Sequence, residues 1–445
     1  MEKNRLIYYF FKFYSVLWLI ALPFLKTNKR LKQGFVQRTS AKDLSKADIW
    51  IQAASAGESY LAVQLLKKLT PMKKTAVLIT STTSQGMEIL EKGLFLGKSI
   101  GEGSIHHNII LKTAWFPFDY PKLMKEVVSK IDPEIMVLLE TEIWPALLFF
   151  LKKKGANIFI INARLSKKSF KSYLKTSSLW KKVAPDKILA IDQTDAERFK
   201  KIFDKSEIKV MKNIKFDSLA NSLKKSNKKK SEKEPDRTDG LEKIIKKETP
   251  FSILASVRME EEEEIEKILE KIMNEVPDQV VAIFPRHMER VAYWENKLGS
   301  TKFPWKLRSK ITKPAESGSV ILWDTFGELK DAYNLAATVF VGGSLKPLGG
   351  QNFMEPVVCG AATITGPFIE SFEFAGKALF KKELAKKADN WESVAAFMIQ
   401  NLKEPPDRQT LAKKGREYIK KNQGGTLAAC KEITDCLQVL QITCD

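Results

Sequence analysis

Gly342-Gly-Ser-Leu-Lys-Pro-Leu-Gly-Gly-Gln-Asn-Phe-Met-Glu-Pro356 is the stretch on which the reading of this chain turns. It follows an apolar segment of strand character, Ala336 to Val341, and sets two glycine pairs ahead of a carboxylate. Gly342, Gly343, Gly349 and Gly350 let backbone amides approach an anion closely. Ser344 and Asn352 add donors, and Glu355 at a helix start accepts from a ribose hydroxyl. A sugar nucleotide fits that inventory. An isolated pair of glycines would read as a plain turn between strand and helix. Glycine, polar and acidic residues together at a strand's end match the place where open α/β sheets bind ligands.

The same strand, turn and helix pattern extends outward from this stretch. Asp48 to Ala54 reads as a strand ending in Ser55-Ala-Gly-Glu58, and Leu61 to Leu69 then carries helical apolar spacing. Thr75 to Thr80 precedes Ser81-Thr-Thr-Ser-Gln-Gly86, and Ile135 to Leu139 precedes Glu140-Thr-Glu-Ile-Trp-Pro145. Ile158 to Ile161 leads into Asn162-Ala-Arg-Leu-Ser166, and Lys187 to Ile191 into Asp192-Gln-Thr-Asp195. A second series follows, with strands at Phe251 to Ala255, Val280 to Phe284, Val320 to Leu322, Thr338 to Val341 and Ala362 to Ile364. Short apolar strands alternating with helices imply parallel sheets with helices on both faces. The expected fold class is α/β, with two Rossmann-like domains facing a cleft on which the loops just named converge.

Length and charge bound the reading further. At 445 residues the chain exceeds what one hydrophobic core covers, so two domains are expected. The boundaries read as 33–222 for the first Rossmann-like domain, 223–248 for a charged linker or insertion, 249–420 for the second domain and 421–445 for a C-terminal helix. The formal charge of +21 calls for acidic partners. Residues 224–248 mix acids with lysines and interleave no aromatics, which argues against a nucleic-acid tail. Cys359, Cys430, Cys436 and Cys444 form neither a CxxC pair nor a disulfide framework, and His106, His107 and His287 complete no zinc signature, so no metal or cofactor is expected. Residues 1–32 hold an apolar, aromatic run from Leu6 to Leu25, broken only by Lys12 and followed by Lys26, Lys29, Arg30 and Lys32. Such a run either spans a bilayer or lies on it, and its basic flank places the following chain in the cytoplasm.

Taken together, the loops resemble those of the bacterial 3-deoxy-D-manno-octulosonic acid (Kdo) transferases. The resemblance runs in order through Ala54-Ser-Ala-Gly-Glu58, Glu140-Thr-Glu-Ile-Trp-Pro145, Asn162-Ala-Arg-Leu-Ser166, Pro285-Arg-His287, Asp324-Thr-Phe-Gly-Glu-Leu329 and Gly342 to Pro356. It implies a GT-B glycosyltransferase fold and transfer of Kdo from CMP-Kdo to the lipid A precursor. The location implied is the cytoplasmic face of the bacterial inner membrane, against its anionic surface, with no nucleic acid as partner. By this resemblance Glu58 is the general base, with Ser55 and Gly57 shaping the turn around it. The acceptor is bound or oriented by Ser55, Gly57, Glu140, Glu142, Asn162 and Arg164. The donor is held by Arg286, His287, Gly342, Gly343, Ser344, Gly349, Gly350, Asn352 and Glu355. Two positions depart from the family pattern: Gln351 and Gln52 stand where histidines are usual, which removes a titratable ring from each. Two readings compete with this one. One is another GT-B glycosyltransferase with a different donor or acceptor, and the other is a non-catalytic membrane-bound scaffold. The retained Glu58 argues against the scaffold.

Overall fold

The computed structural model describes residues 2–96, 105–220, 237–246 and 248–443. Most of the expected charged linker, from 223 to 236, lies outside the described residues, as does Cys444. Chain contacts divide the protein into two units, Met1–Ser218 with Asn422–Asp445, and Leu219–Lys421.

The first unit is built on seven parallel strands: β1 (Ile49–Ala53), β2 (Thr75–Ser81), β3 (Ile109–Trp115), β4 (Ile135–Leu139), β5 (Asn157–Ala163), β6 (Lys187–Ala190) and β7 (Glu207–Val210). Their order is β3-β2-β1-β4-β5-β6-β7, so the winding reverses between β1 and β4. Adjacent residues of a strand point to opposite faces, and in this sheet both faces are covered. Trp50, Met136, Leu138, Ile158 and Ile160 pack on one side with Met124, Val127, Leu147 and Leu151. Ile49, Ile51, Ile79, Val137 and Ile161 pack on the other with Leu61, Leu65 and Leu90. That second face also takes Ala429, Cys430, Ile433 and Leu437 from the C-terminal helix Gly425–Thr443.

The second unit repeats the plan with β8 (Phe251–Val257), β9 (Val280–Pro285), β10 (Trp305–Leu307), β11 (Ser319–Leu322), β12 (Thr338–Val341), β13 (Ala362–Thr365) and β14 (Lys386–Lys387). The order is β10-β11-β9-β8-β12-β13-β14, all parallel, with the reversal between β8 and β12. Each unit therefore has a crevice at the carboxyl ends of two central strands, where doubly wound sheets hold ligands. The strands read from sequence are found. Four more, β3, β7, β10 and β14, are the edges of the two sheets.

Candidate active site

In the first unit the crevice is formed by the loops after β1, β4 and β5. Ser55, extended at φ −132°, caps the helix Ala56–Leu66 and its Oγ accepts from Glu58 N at 3.3 Å. The carboxylate of Glu58 turns back to accept from Ala54 N at 2.6 Å and from Ser55 Oγ at 2.9 Å. Glu58 thus closes a reciprocal cap and has its oxygens fixed in the crevice. It is 9% exposed, and burial pushes its carboxyl above the usual value. The Ala54 and Ser55 hydrogen bonds and Lys215 oppose that rise, while Glu140 adds to it. Gly57, in the first turn, leaves the helix start open: beyond its own helix backbone and chain neighbours, a side-chain carbon placed there would meet Ser55 Oγ at 3.8 Å among the described residues.

Glu140, which follows β4, and Asn162, next to last in β5, both adopt left-handed backbone at φ 57°. Non-glycine residues in that region are uncommon and concentrate at functional sites. Glu140 is held there by its amide, which donates to Ile161 O, and by two cations: Arg164 Nε and Lys215 Nζ each stand 2.8 Å from its carboxylate. Asn162 is fully buried; its Oδ1 accepts from Ile214 N, and its Nδ2 has no partner among the described residues. Thr141 Oγ1 donates to Arg164 O, which ties the two loops together. Glu142 accepts from Trp144 Nε1 at 2.7 Å, and burial first, then Glu58, push its carboxyl up to about 7. The Trp144 ring packs 5.6 Å from Phe116. The fold therefore brings Ser55, Glu58, Glu140, Glu142, Asn162 and Arg164 to the carboxyl ends of the central strands β1, β4 and β5. Lys215 is the member that sequence reasoning missed, because nothing in its local sequence marks it. Gln52 does not join them: it is fully buried beneath, its Oε1 accepting from Thr80 Oγ1 at 2.5 Å.

In the second unit the loops after β8 and β12 meet at the reversal. Gly343, Gly349 and Gly350 have φ of 65°, 87° and 76°, a conformation glycine adopts without cost. The expectation that the loop's amides face a ligand is corrected for Gly343, whose amide is taken by the carboxylate of Glu261. Glu261 is fully buried and accepts from Gly343 N at 2.5 Å, Arg258 N at 3.1 Å and Leu345 N at 3.3 Å. A side-chain carbon at Gly342 would collide with that same carboxylate. The amides of Gly342 and Gly350 donate to Ala255 O and Gly343 O, and Ser344, buried, donates to Val341 O and accepts from Gly366 N. An internal anion therefore shapes the glycine loop. Its only sequence signal was the acidic run Glu260 to Glu264 at a helix start.

Around this clamp stand the other residues expected at the donor. Asn352 Nδ2 donates to Glu355 Oε1 at 2.9 Å while its Oδ1 accepts from Met354 N, and burial raises the Glu355 carboxyl. Arg286 follows β9, anchored by its amide to Val257 O; its guanidinium is exposed and makes no ion pair among the described residues. His287 is exposed beside it. Gln351 donates its amide to Gly342 O, and its side chain lies against Gly343.

Residues 27–218 match the family model described as 3-deoxy-D-manno-octulosonic-acid transferase (kdotransferase). The 3-deoxy-D-manno-octulosonic acid transferase of Haemophilus influenzae is 28% identical over 436 residues, covering 93% of this chain and 95% of that protein. A bifunctional glycosyltransferase/methyltransferase of Fusobacterium nucleatum is 28% identical over 409 residues, covering 88% of this chain. The match takes in 59% of that relative's own length. Among solved structures, the UDP-GlcNAc 2-epimerase from Neisseria meningitidis bound to UDP-GlcNAc superimposes with a TM-score of 0.52 at 14% identity, covering 88% of this chain and 99% of that one. That likeness is one of fold: two doubly wound units of the GT-B type.

Proposed function

We propose that this chain, as a member of the Kdo transferase family of glycosyltransferases, moves Kdo from CMP-Kdo to a hydroxyl of the lipid A precursor at the cytoplasmic face of the inner membrane. The observation that carries the reading is Glu58. Its carboxylate is oriented by Ala54 N and Ser55 Oγ at the winding reversal of the first unit, and burial makes it a stronger base than a solvated glutamate.

The reaction is an inverting single displacement. Glu58 takes the proton of the acceptor hydroxyl as its oxygen bonds to the anomeric carbon of Kdo, and the bond from that carbon to the CMP phosphate oxygen breaks with its electron pair leaving on CMP. Arg286, exposed and without a protein counter-ion among the described residues, supplies a planar fork for the departing phosphate or the Kdo carboxylate. Asn352 and Glu355 offer hydrogen bonds to the ribose, on a loop held in shape by Glu261. Arg164 and Lys215 hold Glu140 in place and leave positive charge beside Glu58 for a phosphorylated sugar.

The test is purified full-length protein with CMP-Kdo and lipid A precursor, the product read by mass spectrometry. Glu58→Gln should lower transfer roughly 100- to 10,000-fold, the usual share of a general base. CMP affinity measured by calorimetry should not change. A parent protein that adds no Kdo, or a folded Glu58→Gln protein that works nearly as fast as the parent, would overturn the reading.

A further inference from the structure

Arg38 carries a charge into the interior of the first unit without a carboxylate to meet it. Its side chain is 2% exposed, and among the described residues it makes no ion pair and leaves Nε without a hydrogen-bond partner. Burial lowers the guanidinium to about 10, so it stays cationic at neutral pH. Buried charges are ordinarily paired, and an apolar side chain of similar volume commonly replaces them without loss of stability. A guanidinium retained in such a place points to a directional hydrogen bond that a hydrocarbon cannot make.

Local packing fixes where that guanidinium points. Gly34, at φ 72°, precedes the short helix Phe35–Arg38, and a side-chain carbon on it would collide with the Trp115 ring. Arg38 O accepts from Phe118 N at 2.9 Å, and the guanidinium lies 4.7 Å from the Trp115 ring centre and 5.7 Å from that of Phe118. Its Nη2 donates to Thr82 O, in the loop Ser81-Thr-Thr-Ser-Gln-Gly86 after β2. Thr82 Oγ1 in turn donates to Ala54 O. That carbonyl belongs to the peptide joining Ala54 to Ser55, the two residues that hold the Glu58 carboxylate through Ala54 N and Ser55 Oγ.

We propose that Arg38 is a positioning residue for the general base: through Thr82 it fixes the Ala54–Ser55 peptide, and with it the oxygens of Glu58. Arg38 is too deeply buried to meet substrate and acts only through this relay. The hydrogen bonds from Ala54 and Ser55 favour the charged form of Glu58, as does Lys215, while burial and Glu140 oppose it; Glu58 in turn raises Glu142. Loosening the Ala54–Ser55 peptide weakens two of the contacts that keep Glu58 ionised and leaves burial and Glu140 to raise its carboxyl further. The inference rests on Glu58 as the base in the function proposed above.

The experiment uses the full-length protein with Thr82→Val, Arg38→Met, Arg38→Lys and the double variant of the first two. Thr82→Val keeps the side chain's shape and the charge of Arg38 but removes the Oγ1 donor. It should lower kcat roughly ten-fold and move the acid limb of kcat/KM to higher pH, while CMP affinity by calorimetry stays at the parent value. Arg38→Met should do the same, Arg38→Lys should recover part of the loss, and the double variant should be little worse than the more affected single one. Carbon NMR of isotope-labelled glutamate, with the Glu58 signal identified by its loss in Glu58→Gln, should show that carboxyl titrating at higher pH in Thr82→Val than in the parent. A Thr82→Val protein with parent kcat and an unmoved Glu58 titration would overturn the proposal. So would losses that multiply in full in the double variant, since the two residues would then act independently. If Arg38→Met does not fold, Thr82→Val, at a half-exposed position, decides the matter. The titration needs no turnover, so a displaced Glu58 signal in a chain whose Glu58→Gln variant still transfers at the parent rate would remove Glu58 as base and leave the relay standing.

Discussion

Glu58 and Glu142 bury two carboxyls in one crevice, and burial raises both above the ordinary carboxylate range. A raised carboxyl stays protonated to higher pH, so transfer that needs Glu58 ionised should fall as pH drops through that higher value. The acid limb of kcat/KM should therefore lie above the ~4.3 of a free glutamate. Glu140→Gln removes the negative charge that raises the Glu58 carboxyl after burial and should move the limb to lower pH. A pH–rate profile checks this, and an unmoved limb would mean that Glu58 and Glu140 do not couple. Arg286 makes a second prediction at this scale. Its fork is exposed and unpaired among the described residues, so Arg286→Lys keeps the charge but loses bidentate geometry. Calorimetry should show CMP-Kdo binding weakened by about ten-fold, the weight of ~1.4 kcal/mol. Both residues were legible in the sequence, since each follows an apolar strand that marks its own position. Lys215 and Glu261 were not, because each acts through a partner far away in the chain.

At the level of elements, the loops are set by strained or clamped backbone rather than by their glycines alone. Ser256, at φ 55°, bends the end of β8 so that Glu261 can reach under the β12 loop. Gln at 261 would press an NH2 group against backbone donors and leave a buried amide unpaired. Glu261→Gln should therefore cost about 1–3 kcal/mol of stability in the second unit. It should also lower CMP affinity while sparing the first unit. Thermal melting with and without CMP measures both effects, and a variant with parent Tm and parent affinity would free the loop from Glu261. Strand legibility follows the same physics of burial. The central strands read as continuous apolar runs because helices cover both faces, as in the wholly buried β4 and β1. The edge strands β3 and β7 carry exposed residues such as Lys112 and Glu207, and β10 and β14 have two or three residues each. Nothing in so short or mixed a pattern distinguishes them from loop.

For the molecule as a whole, the C-terminal helix Gly425–Thr443 belongs to the first unit although it follows the second in sequence. Ile433 and Leu437 lie in that unit's core, Glu432 pairs with Lys187 and Lys209, and Asp217 accepts from Gly424 N and Thr426 N at 2.7 Å. Ile433→Ala should cost the first unit roughly 2–5 kcal/mol. Hydrogen exchange should then speed up in β1 and β4 but not in β8 and β12. Uniform protection in all four strands would show the helix to be dispensable. Local sequence was enough for the two α/β series, their central strands, the loops at their ends and the family those loops resemble, because burial periodicity and turn chemistry are written locally. The folded chain was needed for the sheet edges, the Glu261 clamp across 82 residues, the Tyr14–Asp119 hydrogen bond across 105 and the return of the C-terminal helix. A local pattern states that a group will be buried, and only the folded chain states against what.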